Sequence, residues 1–160
     1  MAHKFRELIV WQRAMEFVTN VYNLTRVFPQ HEQFGLTSQL RRAAASIPLN
    51  IAEGAGSDGP NEFKRFLNIA LKSSYETMTA LELSVRLRYT DQDQVESLLN
   101  EVDEIAAMIV GLAKNLQKRT DYKTIRDLPA EYLLTSAYWS TDARILSPER
   151  NLPPHFLEHP

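Results

Sequence analysis

Apolar side chains in the first 118 residues recur at spacings of three and four, which is the period of an α-helix. The first segment with this pattern runs from Glu7 to Phe28. Pro29 follows it. Because the residue before a proline is disfavoured in helical geometry, the first helix is predicted to end there.

A second apolar row begins at Leu36 and predicts a helix that ends in a glycine-rich stretch, Gly54 to Gly59. Pro48 lies inside this row. A proline removes one backbone donor and clashes with the carbonyl group four residues earlier. We therefore expect one continuous helix with a kink near Ala44.

Two longer helices follow. Pro60 suits the first position of a helix, so the third helix is predicted to begin at Asp58 or Gly59 and to continue to about Tyr89. Thr90 is the predicted N-terminal cap of the fourth helix. The apolar row of that helix has heptad-like spacing. It consists of Val95, Leu98, Val102, Ile105, Ile109, Leu112 and Leu116.

Four amphipathic helices with short connections predict an all-α fold, an antiparallel up-down-up-down four-helix bundle over residues 1–118. The apolar faces are wider than one small bundle interior needs, and Trp11, Phe66 and Tyr89 do not all fit inside it. An apolar surplus of this kind is typical of subunit contacts. The alternative is that these rings cap the bundle ends or lie beneath the C-terminal tail.

The composition changes near Arg119. All five glycines precede this residue, and five of the eight prolines follow it. Residues 119–160 are therefore predicted to form a C-terminal extension. The extension contains too many apolar side chains for a solvated linker. We expect it to pack on the bundle or on a neighbouring subunit, with Pro129 to Tyr138 as a short helix.

The overall composition excludes several kinds of functional site. With 44% hydrophobic and 24% charged residues, the chain is typical of a soluble globular protein. It contains no cysteine, which excludes disulfides, thiolate metal sites and a cysteine nucleophile. No apolar run is long enough for a membrane span or a signal peptide, so we expect a cytoplasmic protein without membrane association. The net charge of −2, from 18 basic and 20 acidic residues, disfavours electrostatic binding of nucleic acid over the whole surface but permits a local basic patch.

Two patterns that resemble cofactor sites lack the context that the chemistry needs. Residues Gly54 to Gly59 match the G-x-G-x-x-G dinucleotide fingerprint, but a predicted helix rather than a strand precedes them. We interpret this stretch as a turn between two helices. A di-metal site of the Glu-x-x-His type is not expected either, because the histidines lie outside the predicted helix interiors. They are His3, His31, His155 and His159. No catalytic residue, metal or cofactor is predicted.

Several polar side chains lie on or beside the predicted apolar faces of the second and third helices. A polar group taken out of water needs a hydrogen-bond partner. We therefore expect a structural network between these helices, with Arg41 or Arg42 as further partners, and a catalytic role is the alternative. The residues are Gln39, Ser46, Asn50, Glu53, Ser73, Ser74 and Glu76.

Short clusters of basic residues are the candidate contacts to nucleic acid. Each cluster alone has the ordinary explanation of a solvated helix face. Copies of one cluster around an oligomer, however, would form a ring that can hold a phosphate backbone. The candidates are Arg41, Arg42, Lys64, Arg65 and Lys72.

Several stretches of the first 118 residues resemble a single family. They are Phe5–Gln12, Gly35–Ala44, Ser46–Gly54, and Glu62-Phe63 with Phe66-Leu67 and Ser74-x-Glu76. Together they are similar to the four-helix bundle proteins encoded in intervening sequences of bacterial 23S ribosomal RNA genes. The run Ser-Ile-Pro-x-Asn-Ile-Ala-Glu-Gly on the second helix is the most specific of them.

The resemblance implies a homopentamer of antiparallel bundles without enzymatic activity. The family is also similar to the accessory protein of diversity-generating retroelements, whose pentamer binds nucleic acid and its reverse transcriptase. That protein is strongly basic, whereas this chain is slightly acidic. Residues 120–160 also extend beyond the usual length of the family.

We therefore expect a non-enzymatic, homo-oligomeric scaffold, a pentamer by the resemblance, with RNA, DNA or a nucleoprotein as its partner. The alternative is a protein-interaction module that binds no nucleic acid.

Overall fold

The computed structural model describes residues 4–118 and Tyr132, and this part of the chain contains four long helices. Helix α1 spans Ile9–Leu24, α2 spans Leu36–Ala55, α3 spans Pro60–Arg86 and α4 spans Gln92–Lys118. Short 3₁₀ turns lie at Lys4–Glu7, Thr25–Val27 and Gln30–Glu32. Each helix packs against the next one in the chain, and α4 packs against α1. The predicted all-α, up-down-up-down bundle is confirmed.

The core lies where the inward rows of the four helices meet. All seven apolar positions predicted for α4, from Val95 to Leu116, are buried, none more than 6% exposed. Phe17 of α1, Ile47 of α2 and Leu67 of α3 are fully buried. Each such side chain contributes about 1.5–3 kcal/mol when it leaves water. Packing of these rows therefore stabilises the bundle.

Helix α1 ends at Leu24 and not at Phe28, so its predicted end was wrong. The hydroxyl of Thr25 donates to the carbonyl of Val21 at 2.9 Å, and the chain tightens into the 3₁₀ turn that starts there. Such a turn is a common way for a helix to end. The start was also predicted too early, because Glu7 belongs to the preceding 3₁₀ turn.

Helix α2 is continuous through Pro48, as predicted, while the kink near Ala44 stays a prediction. Its first amide, Leu36 N–H, donates to Glu32 Oε2 at 2.7 Å. Gly35 makes this contact possible, since a Cβ atom at this position would collide with the Glu32 carboxylate. The carboxylate thus satisfies one of the amides that every helix start leaves without a helical partner.

Helix α3 begins at Pro60, and Gly59 precedes it with φ = 131°, in the region that favours glycine. The predicted end at Tyr89 was wrong. Arg88 has φ = 59°, and the amides of Arg88 and Tyr89 donate to the carbonyls of Val85 and Ser84, both at 2.9 Å. This is a Schellman ending, in which glycine is the usual left-handed residue. Because the sequence has arginine there, the pattern of residues did not indicate the end.

Helix α4 begins at Gln92, so the predicted cap at Thr90 was also wrong. The Thr90 hydroxyl donates to the side chain of Gln94, at 2.8 Å to Oε1. A capping hydroxyl would instead accept a hydrogen bond from a backbone amide.

Trp11, Phe66 and Tyr89 are the aromatic rings that were predicted not to fit together inside the bundle. All three are half-buried and lie against other side chains of the same chain. Trp11 meets Phe5 edge to face, with ring centres 5.0 Å apart. The Arg65 guanidinium lies 4.3 Å above the centre of Phe66. Tyr89 packs beside Phe28, whose ring centre is 5.9 Å away.

The extension is described at one residue. The predicted short helix, Pro129 to Tyr138, lies outside the described residues except for Tyr132. This side chain is only 6% exposed, and its hydroxyl accepts a hydrogen bond from Asn115 Nδ2. Within the described part of the chain, no helix combines the length and the apolar character needed to cross a membrane.

Candidate nucleic-acid interface

The glycine-rich stretch joins α2 to α3. Gly54 lies in the last turn of α2 and Gly59 directly precedes α3. The interpretation of this stretch as a helix-to-helix turn is confirmed. Among residues 4–118 and Tyr132, no three histidine or acidic side chains are grouped closely enough to hold a metal ion.

The middle of the α2–α3 seam contains three of the predicted polar residues in contact. Asn50 Nδ2 donates to the backbone carbonyl and to Oγ of Ser46, at 2.7 and 2.9 Å. Ser73 of α3 donates to Ser46 Oγ at 2.9 Å. These bonds connect the two helices through small side chains, which allows the backbones to approach.

A second polar chain crosses the same seam nearer the start of α2. Arg42 Nη2 donates to Gln39 Oε1, and Gln39 Nε2 donates to Glu76 Oε1 on α3. Arg42, rather than Arg41, is therefore the arginine that joins the polar residues of the seam.

Two of the predicted polar residues lie elsewhere. Ser74 is fully buried, and its hydroxyl donates within α3 to the carbonyl of Ala70 at 3.2 Å. Glu53 is exposed. The hydrogen bond with Glu62 is the largest cause of the raised pKa of Arg65, and the negative charge of Glu53 adds to it.

Arg41 is directed to the opposite side of α2 from the seam. Its Nε donates to Thr25 Oγ1 at 2.7 Å, and its guanidinium carbon lies 4.8 Å from the ring centre of Tyr22. Thr25 is only 3% exposed, so this hydrogen bond satisfies a buried hydroxyl. Arg41 therefore connects α2 to α1 and is separated from Arg42.

Arg65 is held by neighbours on its own helix. Its Nε and Nη2 donate to Glu62 Oε1 at 2.8 and 2.6 Å. This hydrogen bond lowers the pKa of Glu62 and raises that of Arg65. Lys72 follows about two turns later in the same row and is exposed, whereas Lys64 lies about 100° around the helix and is half-buried.

The five candidate cations therefore do not form one patch. Arg42, Arg65 and Lys72 lie on one surface, which we name the α2–α3 outer face, while Arg41 and Lys64 lie outside it. The same face carries three carboxylates, Glu53, Glu62 and Glu76. Since cations and carboxylates alternate there, the face offers separate donors to a phosphate but no strong positive field.

A polar contact that the sequence analysis missed joins distant loops at one end of the bundle. The Tyr89 hydroxyl donates to Glu32 Oε1 at 2.9 Å, while the other oxygen of Glu32 accepts the Leu36 amide. The bonds from Leu36 and then from Tyr89 lower the pKa of Glu32. The Glu32 contact raises the pKa of Tyr89. The sequence did contain one signal for this contact, because Glu32 is an acidic residue just before the start of α2. Its partner Tyr89 is distant in the sequence, so no local pattern indicated the pair.

The acidic surface of α4 was also missed. Between Asp91 and Ala113 the sequence has six acidic residues and no lysine, arginine or histidine. Two of them are bridged by α1, because Arg13 donates to Glu104 and Asn20 Nδ2 donates to Glu101 Oε2 at 3.1 Å. A phosphate backbone would be repelled from this side of the bundle.

Comparison with known proteins agrees with this fold. Residues 6–111 match the sequence model of a family described as 23S rRNA-intervening sequence protein. Among solved structures, the chain is similar to a protein with unknown function from the S23 ribosomal protein family of Bacteroides thetaiotaomicron VPI-5482, with 32% identity and a TM-score of 0.62. That similarity covers 66% of this chain and 99% of the other. No curated protein matches the sequence. Since the family model spans well over half of the 160 residues, the chain belongs to the 23S rRNA-intervening sequence protein family.

Proposed function

We propose that the protein is a non-enzymatic scaffold that assembles into a homopentamer and holds a nucleic acid or a nucleoprotein. The observation that carries the proposal is the apolar surface left on the outside of the bundle. Met15 and Tyr22 of α1 are each 43% exposed, and Tyr75 and Leu83 of α3 are 53% and 42% exposed. Apolar side chains in such groups commonly mark interaction surfaces.

The distribution of these side chains suits a ring. Helices α1 and α3 are diagonal in the bundle, because each packs against α2 and α4. A ring needs two different contact surfaces on each subunit, which meet head to tail. By contrast, residues 92–116 of α4 contain no large exposed apolar side chain.

A nucleic-acid partner is supported by the exposed cations of the α2–α3 outer face. Each subunit offers Arg42, Arg65 and Lys72 there, with carboxylates between them. We therefore expect binding to require several subunits and to be weak and sensitive to salt.

Light scattering on the purified chain tests the assembly. Five copies of the 18.4 kDa chain give about 92 kDa. A mass of one copy at micromolar concentration would overturn the proposal.

A titration with RNA at two salt concentrations tests the partner. The Lys72→Ala variant is expected to bind more weakly and to reduce the salt slope by about one. The matched control is Lys114→Ala, which removes an exposed lysine from the acidic helix α4. Absence of salt-sensitive binding at low ionic strength would remove RNA as a partner.

A protein-interaction module without nucleic acid is the second candidate function. It is favoured by the equal numbers of cations and carboxylates on the α2–α3 outer face. Capture of partners from a lysate, with and without nuclease, separates the two. A partner retained after nuclease treatment, together with no RNA binding, supports the second candidate.

A further inference from the structure

The two loops at one end of the bundle are joined directly. Tyr89, between α3 and α4, donates a hydrogen bond to Glu32, between α1 and α2, at 2.9 Å. Phe34 and Leu87 each lie two residues from this bond in the sequence. Phe34 is 91% exposed and Leu87 is 44% exposed. The start of α2 and the end of α3 therefore both present an apolar side chain to solvent at this end.

The register of the two helices places Phe34 and Leu87 at a similar level. Ser73 of α3 donates to Ser46 of α2, and the two helices are antiparallel. Counted outward from this pair, Leu36, the first residue of α2, lies level with the last turn of α3. Phe34 and Leu87 lie just beyond these two helix ends.

Leu87 also continues the α2–α3 outer face to the end of the bundle. It follows Glu76 by about three helical turns and still has helical backbone angles, so the two residues lie on one side of α3. Glu76 lies at the border with α2, because it accepts a hydrogen bond from Gln39. The exposed apolar pair is therefore the end of the outer face.

This end of the face also contains a cation. Arg88 directly follows Leu87 and is exposed. We name Phe34, Leu87 and Arg88 the α2–α3 corner. Arg42 lies next along the outer face, in the second turn of α2, and is exposed as well.

The acidic side chains of this end are placed away from the corner or are already bonded. Both carboxylate oxygens of Glu32 accept hydrogen bonds within this end of the bundle. Glu82 lies about 140° around α3 from Leu87. Asp91 and Asp93 lie at the start of α4, which is diagonal to α2 because both helices pack against α1 and α3. The corner is therefore apolar and positively charged.

Two features of the corner bring no benefit to the folded bundle itself. Arg88 has φ = 59°, a left-handed conformation that glycine adopts without the steric cost of a Cβ atom. Phe34 leaves nearly all of its ring in water, so it gains little from hydrophobic burial. Residues that break a local rule without a gain in stability are expected where a protein contacts a partner.

We propose that the α2–α3 outer face binds single-stranded nucleic acid, with an unpaired base stacked on Phe34 and the phosphate backbone held by Arg88 and Arg42. An unpaired nucleotide presents a flat ring beside a phosphate, and an exposed aromatic ring beside cations is the arrangement that binds it in proteins. In a duplex the bases stack on each other and their faces are covered. The inference rests on the proposed function and adds the form of nucleic acid that the face selects.

Fluorescence anisotropy with the full-length chain measures this preference. The probes are a short labelled oligoadenylate and the same strand annealed to oligouridylate, both at low ionic strength. The single strand is expected to bind more tightly, because a stacked base adds to the phosphate contacts. Equal or tighter binding of the duplex would overturn the proposal.

Substitutions of Phe34 test the stacking. Phe34→Ala is expected to weaken binding of the single strand about fivefold or more and to leave binding of the duplex unchanged. Phe34→Trp keeps an aromatic ring and is expected to bind like the unmodified chain, whereas Phe34→Leu keeps only apolar volume and is expected to bind like Phe34→Ala. The matched control is Val27→Ala, which removes a 70% exposed apolar side chain just after α1.

Arg88→Gly tests the cation without disturbing the helix end. Glycine suits φ = 59°, so the free energy of unfolding is expected to stay the same or to rise. Loss of one phosphate contact is expected to lower the salt slope of single-strand binding by about one. An unchanged slope would contradict the role of Arg88.

The results separate this proposal from the proposed function. If Lys72→Ala weakens RNA binding and Phe34→Ala does not, the proposed function is supported and this proposal is overturned. If neither probe binds in a salt-sensitive manner, the nucleic-acid partner and this proposal are both wrong. If Phe34→Ala leaves RNA affinity unchanged but raises the concentration at which copies associate in light scattering, a second copy occupies the corner and the proposal is overturned. Competition by polyglutamate as strong as by unlabelled oligoadenylate would also overturn it, because charge alone would then decide binding.

Discussion

The α2–α3 seam and the α1–α4 seam are built differently. Along α2, Ser46, Asn50 and Gly54 repeat every four residues: Ser46 and Gly54 meet α3 directly, and Asn50 between them donates to Ser46. The α1–α4 seam is instead bridged by long side chains, Arg13 to Glu104 and Asn20 to Glu101. Small residues allow two backbones to approach closely, whereas long polar side chains reach across a wider gap. From Ser46 to Gly54 the first seam therefore depends on shape, and a longer polar contact, Gln39 to Glu76, crosses it only nearer the start of α2, whereas the Arg13–Glu104 and Asn20–Glu101 contacts of the second seam are long and partly exposed.

This difference gives a physical meaning to the run that carries the family resemblance. Within Ser-Ile-Pro-x-Asn-Ile-Ala-Glu-Gly, the serine, asparagine and glycine form the row of the tight seam, and Ile47 and Ile51 enter the core. Helix packing thus explains the serine, the asparagine, the glycine and the two isoleucines of the run.

The largest expected effect is at Gly54. A Cβ atom there would lie 2.6 Å from Phe66 Cβ and 2.8 Å from Phe63 Cδ2. Gly54→Ala therefore forces α3 away from α2, and we expect urea unfolding to show a loss of about 1–3 kcal/mol. The control is Gly56→Ala, where the nearest atoms would be 3.6 Å and 3.7 Å away. A loss at Gly54 no larger than at Gly56 would show that the seam is not tight.

A smaller loss is expected at the hydrogen bond in the middle of this seam. Ser73→Ala removes the donor to Ser46 Oγ, while Asn50 still satisfies that oxygen. We expect a loss of about 0.5–1.5 kcal/mol in the free energy of unfolding. Ser97→Ala, at an exposed position of α4, serves as the control. If both variants lose the same amount, the bond between Ser73 and Ser46 does not stabilise the seam.

The period of the sequence predicted the helices, the core and the turn at Gly54–Gly59, because burial of one helix face fixes which positions are apolar. It failed where a single backbone conformation or a distant partner decided the structure. Arg88 adopts a left-handed conformation that its residue type does not indicate. Arg41 and Arg42 are adjacent in the sequence, but Arg41 contacts Tyr22 and Thr25 at the end of α1 while Arg42 contacts Gln39 of its own helix, since successive residues on a helix point about 100° apart. The candidate cations were therefore predicted as clusters that the fold separates.

The contacts of Glu32 at one end of the bundle, unlike those of the two seams, are expected to make the free energy of unfolding depend on pH. Glu32 accepts the Leu36 amide and the Tyr89 hydroxyl, and these bonds hold its folded-state pKa below the ordinary value of 4.5. Its contribution to stability is present above pH 4.5 and is lost as the pH falls through the lowered pKa. Glu32→Gln should therefore be less stable than the unmodified chain at neutral pH, and the difference should shrink in acid.

Urea unfolding at several pH values measures this difference. Tyr89→Phe keeps the Leu36 bond, which is the larger cause of the lowered pKa, and should retain most of the pH dependence. Glu96→Gln, at an exposed position of α4, should follow the unmodified chain. A Glu32→Gln difference that stays constant between neutral and acid pH would contradict the role of the Glu32 carboxylate.

The smallest effect is expected at the α1–α4 seam. The side chains of Arg13 and Glu104 are 22% and 34% exposed, so solvent and salt weaken their attraction. A double-mutant cycle with Arg13→Met and Glu104→Gln is expected to give a coupling of about 0.2–1 kcal/mol that decreases as salt is added. The single changes should differ, because Arg13→Met leaves the acidic residues of α4 without this cation, whereas Glu104→Gln relieves part of their repulsion. A coupling above that range and independent of salt would mean that this seam is as dependent on its individual contacts as the α2–α3 seam.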